Sequence, residues 1–346
     1  MVLLTDRAEC TFDSQLRVTT VNQYRILDRE AGSGTYCVVQ WAESKDKELF
    51  AVKVFSRHAL EHTQVAFFDE TGAATESLQE KVRRELEILA ALRHPNLVQL
   101  VEVIDDPKQN AMFSVFEALH GGQLLHWKRK HAAYHVTFDA DTVQKFWGSQ
   151  VASAAISTGE KEIVVFQEAA IRHFFKSVLQ GCAYLHEQGV IHKDVKPDNV
   201  LLTAPVPQSD PRFVNRLSLQ DWPTSAPRKP LMENNSPTSD GDAGQLLQSH
   251  QVSAKLADFN CARIGAQSDC LIWDAEGTQL FTPPECFAGA SEGVKGKPRD
   301  AWSCGVLLFC LFLGRCPFWA EDNFSMQVQI LYEEMKFPEA AVPPLP

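Results

Sequence analysis

A chain of 346 residues, 45% of them hydrophobic, is long enough to bury a sizeable core and to build one large catalytic unit. Its formal charge of −11 and isoelectric point near 5.5 argue against a surface for nucleic acid or an anionic membrane. Nine cysteines, an odd number with no Cys-x-x-Cys pair, read as reduced thiols of a cytoplasmic or nuclear protein; Asp6, Arg7 and Glu9 interrupt any secretory leader.

In chain order, the first feature is Gly32-Ser33-Gly34. Two glycines one residue apart let backbone amides approach phosphate oxygens, although a surface hairpin uses the same pair. Next comes a β-type run, Leu49 to Phe55, from which Lys53 projects. A lysine in an apolar strand is costly unless it meets an anion. The segment Glu80 to Leu92 carries Leu86, Ile88, Leu89 and Leu92 at helical spacing, with Glu85 beside them and a His94-Pro95-Asn96 turn after them. By spacing alone Glu85 reads as a glutamate on an amphipathic helix, with Glu87, two residues on, facing elsewhere. Residues 124–166 mix apolar, basic and acidic stretches, including Lys128-Arg129-Lys130-His131, and are expected to pack on the surface ahead of a helix from Gln167 to Gln188.

The run Val190-Ile191-His192-Lys193-Asp194-Val195-Lys196-Pro197-Asp198-Asn199-Val200-Leu201-Leu202 is the most informative in the chain. It holds a carboxylate (Asp194), a cation two residues on (Lys196) and an amide five residues on (Asn199) between apolar flanks. That is the spacing of a phosphoryl-transfer loop: the carboxylate orients a hydroxyl, the ammonium sits near the transferred phosphate, and the amide oxygen binds magnesium. Residues 203–253 separate this run from Lys255-Leu256-Ala257-Asp258-Phe259-Asn260; within them, Thr224 to Gly244 is polar and reads as a disordered loop with a Ser236-Pro237 phosphorylation candidate. Gly277-Thr278 and Pro283-Pro284-Glu285 follow. Asp300-Ala301-Trp302-Ser303-Cys304-Gly305 then opens an apolar helix, Val306 to Leu313, whose eight residues cannot span a bilayer.

The run at 190–202 resembles the catalytic loop of eukaryotic protein kinases, and its Asp-x-Lys-Pro-x-Asn form resembles the serine/threonine branch. The resemblance extends from about residue 23 to 338, outside three insertions. It implies an α+β, bilobal fold: a small β-rich N-lobe with one helix over 23–117, after a 1–22 extension, and a larger, mainly helical C-lobe over 118–346 carrying insertions 124–166 and 203–253. It implies ATP and Mg2+ as cofactors. Gly32, Gly34, Val39, Ala51, Lys53, Phe116 (the gatekeeper), Glu117, Leu119 and Leu201 would bind nucleotide, Asn199 and Asp258 would bind metal, and Asp194, Lys196, Lys53 and Glu85 would serve catalysis. Asp300 would tie down the catalytic-loop backbone.

Departures from the family pattern are Cys37 at the third glycine of the loop, Asn260 after Asp-Phe, and Lys193 where an arginine reads an activating phosphate. Asn tolerates positive φ, so Asn260 is expected to preserve the turn. Asp274, three residues before Gly277, could face Lys193 as a weak stand-in for that phosphate, worth about 0–1 kcal/mol if surface-exposed; a solvated loop aspartate is the other reading.

Asn22-Gln23-Tyr24, Val101 to Pro107 and Val115-Phe116-Glu117 resemble the calcium/calmodulin-dependent protein kinase kinases, which phosphorylate activation-loop threonines of other kinases. Protein substrates, other kinases among them, are the implied partners. Gln123, neutral where kinases preferring basic substrates hold a glutamate, fits weakly. Regulation by calmodulin is unsupported: that segment lies beyond the kinase domain, and Arg57 to Gln79 lacks the subgroup's Arg-Pro-rich composition. A core of roughly 250 residues plus the insertions would exceed this chain. The last C-lobe helices are therefore expected to be missing, leaving Glu285 a partly buried, unpaired charge and the 306–313 helix short of cover. A pseudokinase scaffold or a non-functional fragment is the competing reading.

Overall fold

The computed structural model describes residues 2–15, 17–34, 36–69, 71–128, 132–136, 162–206, 213–218, 245, 247–248, 251–265, 271–288 and 293–337. Ser236-Pro237 and the 224–244 stretch lie outside them. The N-terminal lobe runs β1 (Leu3–Thr5), β2 (Cys10–Phe12), β3 (Val18–Val21), β4 (Tyr24–Ser33), β5 (Cys37–Glu43) and β6 (Leu49–Ser56). Helix α1 (Arg57–His62), a hairpin of β7 (Gln64–Asp69) and β8 (Gly72–Ser77), helix α2 (Leu78–Ala91), and strands β9 (Leu100–Ile104) and β10 (Ala111–Glu117) complete it.

Eight strands form one sheet in the order β1-β9-β10-β6-β5-β4-β3-β2. The extension ahead of residue 23 adds strands to both ends of the sheet: β1 pairs with β9, and β2 pairs with β3, which pairs with β4. Central β10 is buried from Met112 to Phe116, as expected of a strand covered on both faces.

Helix α2 starts in a capping box, Ser77 and Glu80 satisfying each other's backbone N–H groups. Its buried stripe is Leu78, Val82, Glu85, Leu86 and Leu89. The periodicity that buries the leucines also turns Glu85 inward, toward β6.

The C-terminal lobe adds β11 (Gly122–Gln123), β12 (His126–Lys128), β13 (Ala133–His135), β14 (Glu162–Phe166), helix α3 (Glu168–Glu187), β15 (Val190–Ile191), β16 (Val200–Leu202), β17 (Val214–Ser218), β18 (Ala254–Leu256), β19 (Arg263–Ile264), β20 (Leu271–Ile272), β21 (Val294–Lys295), α4 (Gly296–Leu313) and α5 (Asn323–Tyr332). Helix α3 buries Ala170, Ile171, Phe174, Val178, Cys182 and Leu185 along one stripe. Phe174 is fully buried edge-on to Phe166, 5.2 Å between centroids. Truncating it to alanine would cost about 3–5 kcal/mol.

Three expectations are corrected here. The described parts of the 124–166 insertion (124–128, 132–136 and 162–166) are not a surface addition. Leu124, Leu125, Val136, Val164, Val165 and Phe166 lie in the core, and β14 pairs antiparallel with β17 of the other insertion. Helix α4 is not left bare, because β14 and α3 pack on it; among its large apolar side chains only Phe312 is exposed. Glu285 is exposed rather than partly buried, so water offsets its charge. The predicted helix ends shift by one or two residues, and α4 begins four residues before Asp300.

Candidate active site

The site lies where β4–β6 and α2 face β16, the β18–β19 turn and the β15–β16 loop. A cleft of about 1010 Å³ is lined there by Gly32, Gly34, Val39, Ala51, Lys53 and Glu85 from the small lobe. Phe116, Glu117, Leu119, Lys196, Asn199, Leu201 and Asp258 complete it. All the predicted nucleotide and metal residues therefore share one wall-to-wall space, although Lys53 and Asp258 are 205 positions apart.

Lys53 sits on β6 with its Nζ 2.8 Å from Glu85 Oε1 and 3.4 Å from Asp258 Oδ1, and 5.6 Å from the centre of the Phe116 ring. Burial works against its charge, but the two carboxylates outweigh burial and hold its pKa above the ordinary lysine value. Cys37, beneath the glycine turn, is close enough that a Cβ on Gly34 would stand 3.1 Å from its Sγ. Burial pushes its thiol up, with Lys53 pulling the other way.

The β15–β16 loop is tied from below by Asp300 at the start of α4's buried face. This fully buried carboxylate accepts from the His192 N–H and the Lys193 N–H, each at 2.9 Å, and faces His186 Nε2 at 2.8 Å. Lys193 takes a left-handed conformation, φ 69°, which the two-pronged anchor holds in place.

Asp194, one residue on, is buried rather than on the cleft lining. Its Oδ2 is 2.8 Å from Lys196 Nζ and accepts from Asn199 Nδ2 at 2.7 Å; its Oδ1 accepts from the Thr278 N–H at 2.8 Å. Burial alone would raise its pKa, yet Lys196 and Thr278 prevail and hold it below the usual aspartate value. Lys196 also donates to Thr278 Oγ1 at 2.7 Å, so Lys196 and Asp194 both hold Thr278, one through its hydroxyl and the other through its N–H.

Because the Asn199 NH2 faces Asp194, its amide oxygen is turned the other way. With the Asp258 carboxylate, 37% exposed, that gives two hard oxygen donors on the cleft wall, a set suited to magnesium.

The turn after β18 departs from expectation. Its left-handed residue is Asp258 itself, φ 59°, whereas Asn260 is exposed and has no positive φ. An aspartate tolerates that conformation, so the position after Phe259 carries no glycine-like demand. Phe259 packs below, its ring 4.9 Å from His192.

Other contacts were not read from the sequence. Glu117 pairs with Lys255 at 2.7 Å across the two lobes. Tyr134 donates to Asp198 Oδ2 at 3.1 Å, bringing the first insertion to the cleft mouth beside Trp127 and Trp319. Asp274, by contrast, does face Lys193 as one of the two sequence readings had it, and it is buried rather than solvated, with Lys193 Nζ at 2.8 Å. Lys81, one helical turn before Glu85, pairs with Glu276; that i, i+4 spacing was the available signal.

A lysine–glutamate pair under a glycine turn, with a carboxylate, lysine and asparagine on a loop anchored to a buried aspartate, defines the protein kinase class. The protein kinase domain family matches residues 26–225 and 243–343, and the chain belongs to that family.

Within it, the chain is similar to a calcium/calmodulin-dependent protein kinase kinase of Caenorhabditis elegans, 27% identical over 93% of this chain and 47% of the relative. It is also similar to the serine/threonine-protein kinase GRIK1 of Arabidopsis thaliana, 26% identical over 94% of this chain and 60% of the relative. A third relative is SNF1-activating kinase 1 of Saccharomyces cerevisiae, 26% identical over 96% of this chain and 25% of that protein. The chain thus spans between a quarter and three fifths of the length of these relatives. Among the described residues, no helix is long and apolar enough to cross a membrane.

Proposed function

We propose that the chain is an ATP-dependent serine/threonine protein kinase whose substrates include other kinases. One observation carries this reading: Lys53, Glu85, Lys196, Asn199 and Asp258 line one cleft, and Asp194 lies behind its wall, paired with Lys196 and Asn199. The name of one matched relative, a protein kinase kinase of Caenorhabditis elegans, supports the substrate class.

In this reading the Gly32–Gly34 turn lets the backbone approach the phosphates closely, while Val39, Ala51, Leu201 and Phe116 enclose the adenine and the 117–119 backbone hydrogen-bonds it. Lys53, steadied by Glu85, holds the phosphates. Asn199 and Asp258 would hold Mg2+, which supplies charge neutralisation on the phosphates. Asp194, kept ionised by Lys196 and the Thr278 N–H, orients the acceptor hydroxyl and takes its proton. Lys196 offsets charge on the transferred group. Positioning and electrostatics supply most of the rate, since every group is held by partners before substrate arrives.

The test is transfer of γ-phosphate from labelled ATP to a protein acceptor. Asp194→Asn and Lys53→Met should each abolish transfer while the protein stays folded. Transfer that survives either substitution refutes the assignment; nucleotide binding without transfer in the parent would favour the scaffold.

A further inference from the structure

Three cations from three separate elements converge on the segment just before Thr278. Lys193 of the catalytic loop, with a fully buried side chain, places Nζ 2.8 Å from Asp274 Oδ1 and 3.0 Å from Glu276 Oε2. Lys81 of α2 pairs with the other oxygen of Glu276. Arg299 of α4, also fully buried, donates to the backbone carbonyls of Asp274 and Glu276 and stands 3.6 Å from Asp274 Oδ1. The segment closes on itself as well, the Glu276 N–H donating to Asp274 Oδ1 at 3.0 Å. Both carboxyl groups are held below their ordinary pKa: burial opposes this, and Lys193 leads the forces that overcome it.

This cluster is mechanically continuous with the site. Lys81 lies one turn from Glu85, which holds Lys53. Lys193 adjoins Asp194, and Arg299 adjoins the loop anchor Asp300. Gly277 follows directly, in a backbone conformation (φ 115°) that brings its Cα so near the Lys193 carbonyl that a Cβ would lie 2.6 Å from it. The next residue, Thr278, donates its N–H to Asp194. Residues 271–277, Leu-Ile-Trp-Asp-Ala-Glu-Gly, contain no hydroxyl at all. The hydroxyls that follow, Thr278 and Thr282, are engaged with Lys196 and with the Thr278 carbonyl.

We propose that Asp274 and Glu276 are positioning residues that lock helix α2, the catalytic loop and the segment into their reacting arrangement with fixed carboxylates, so that the site assembles without a phosphate on the segment. Asp274 alone facing Lys193 would tie two elements. Glu276 adds the third by bridging Lys193 to Lys81, and Arg299 fastens the backbone between them. Lys193 and Arg299 are buried and Lys81 partly so, so removal of the carboxylates leaves uncompensated charge at the junction of all three elements. The proposal rests on the kinase reading above, because the arrangement matters for rate only if Asp194 and Lys53 act in transfer.

The experiment uses the whole chain, treated with phosphatase and checked by intact mass, with myelin basic protein as a generic acceptor. Rates are paired with hydrogen exchange of residues 274–282. The dephosphorylated parent should transfer within about twofold of the untreated protein. Asp274→Asn/Glu276→Gln should lose about tenfold or more in kcat with a smaller change in the KM for ATP, the signature of lost positioning rather than lost binding. Exchange protection of 274–282 should fall with it.

Lys81→Met should behave likewise and Lys81→Arg should restore the rate, and this pair decides the matter if the double variant does not fold. Loss of transfer on dephosphorylation, or a double variant equal to the parent in kcat and protection, overturns the proposal. A parent with no Asp194-dependent transfer instead defeats the kinase reading. In that case the exchange data still judge the lock: unchanged protection in the variants rejects it.

Discussion

Asp300→Ala is the substitution whose effect can be worked most directly from the structure. The carboxylate is fully buried and accepts two backbone N–H groups of the catalytic loop, with His186 as a third partner. Alanine leaves both N–H groups orphaned where water does not reach. Each buried, unsatisfied donor costs about 1–3 kcal/mol, so the expected destabilisation is about 2–6 kcal/mol. Asp300→Asn should cost about half as much, about 1–3 kcal/mol, because its amide keeps one acceptor and leaves one donor unsatisfied. Activity should fall together with stability, since Lys193 loses the support for its left-handed backbone and Asp194 is the next residue. Urea unfolding followed by far-UV circular dichroism gives the stability, and labelled ATP the transfer rate. A loss of less than about 1 kcal/mol with parent-like transfer would refute the argument that Asp300 anchors the loop.

Other outcomes follow from the same contacts. Burial lowers the pKa of His94, His120 and His126, so stability should begin to fall as pH drops below about 6.5, where the unfolded chain's histidines take protons first. Asp194, Asp274 and Glu276 have depressed folded values, so their contribution is complete above about pH 4.3 and is lost below it; urea midpoints between pH 7 and 3 should show the second, steeper decline, and a flat profile would contradict it. Tyr134→Phe removes the donor to Asp198 and should cost about 1–3 kcal/mol in urea unfolding, whereas an unchanged midpoint would mean the insertion is not fastened to the catalytic loop by this bond. The Cys261 thiol, pushed up to about 12 mainly by burial, should alkylate at pH 8 on the order of a thousandfold more slowly in the native protein than in the urea-unfolded chain, as read by mass spectrometry.

Much of the site was legible because its parts are local patterns. The Asp194–Lys196–Asn199 spacing fits one short loop, Lys53 breaks an apolar strand, and Glu85 shares the buried stripe of α2; the structure brings these together. The position of the left-handed residue was misassigned to Asn260, since conformational tolerance says which residues can take positive φ and not which one the surrounding contacts require. The first insertion was misjudged for a related reason. Mixed composition suggested surface loops, but burial depends on where a short apolar stretch such as Val164–Phe166 finds a partner, here β17 and helices α3 and α4.

The sequence by itself determined the chemistry: which carboxylates, cations and amides are available, and the element on which each sits. Only the tertiary structure decided how distant charges are matched. Lys81 and Glu276 are 195 positions apart, and Glu117 and Lys255 138. No local periodicity encodes such pairs, because a charge at an amphipathic helix edge or in a loop suits water equally well until folding buries it and makes an opposite partner necessary.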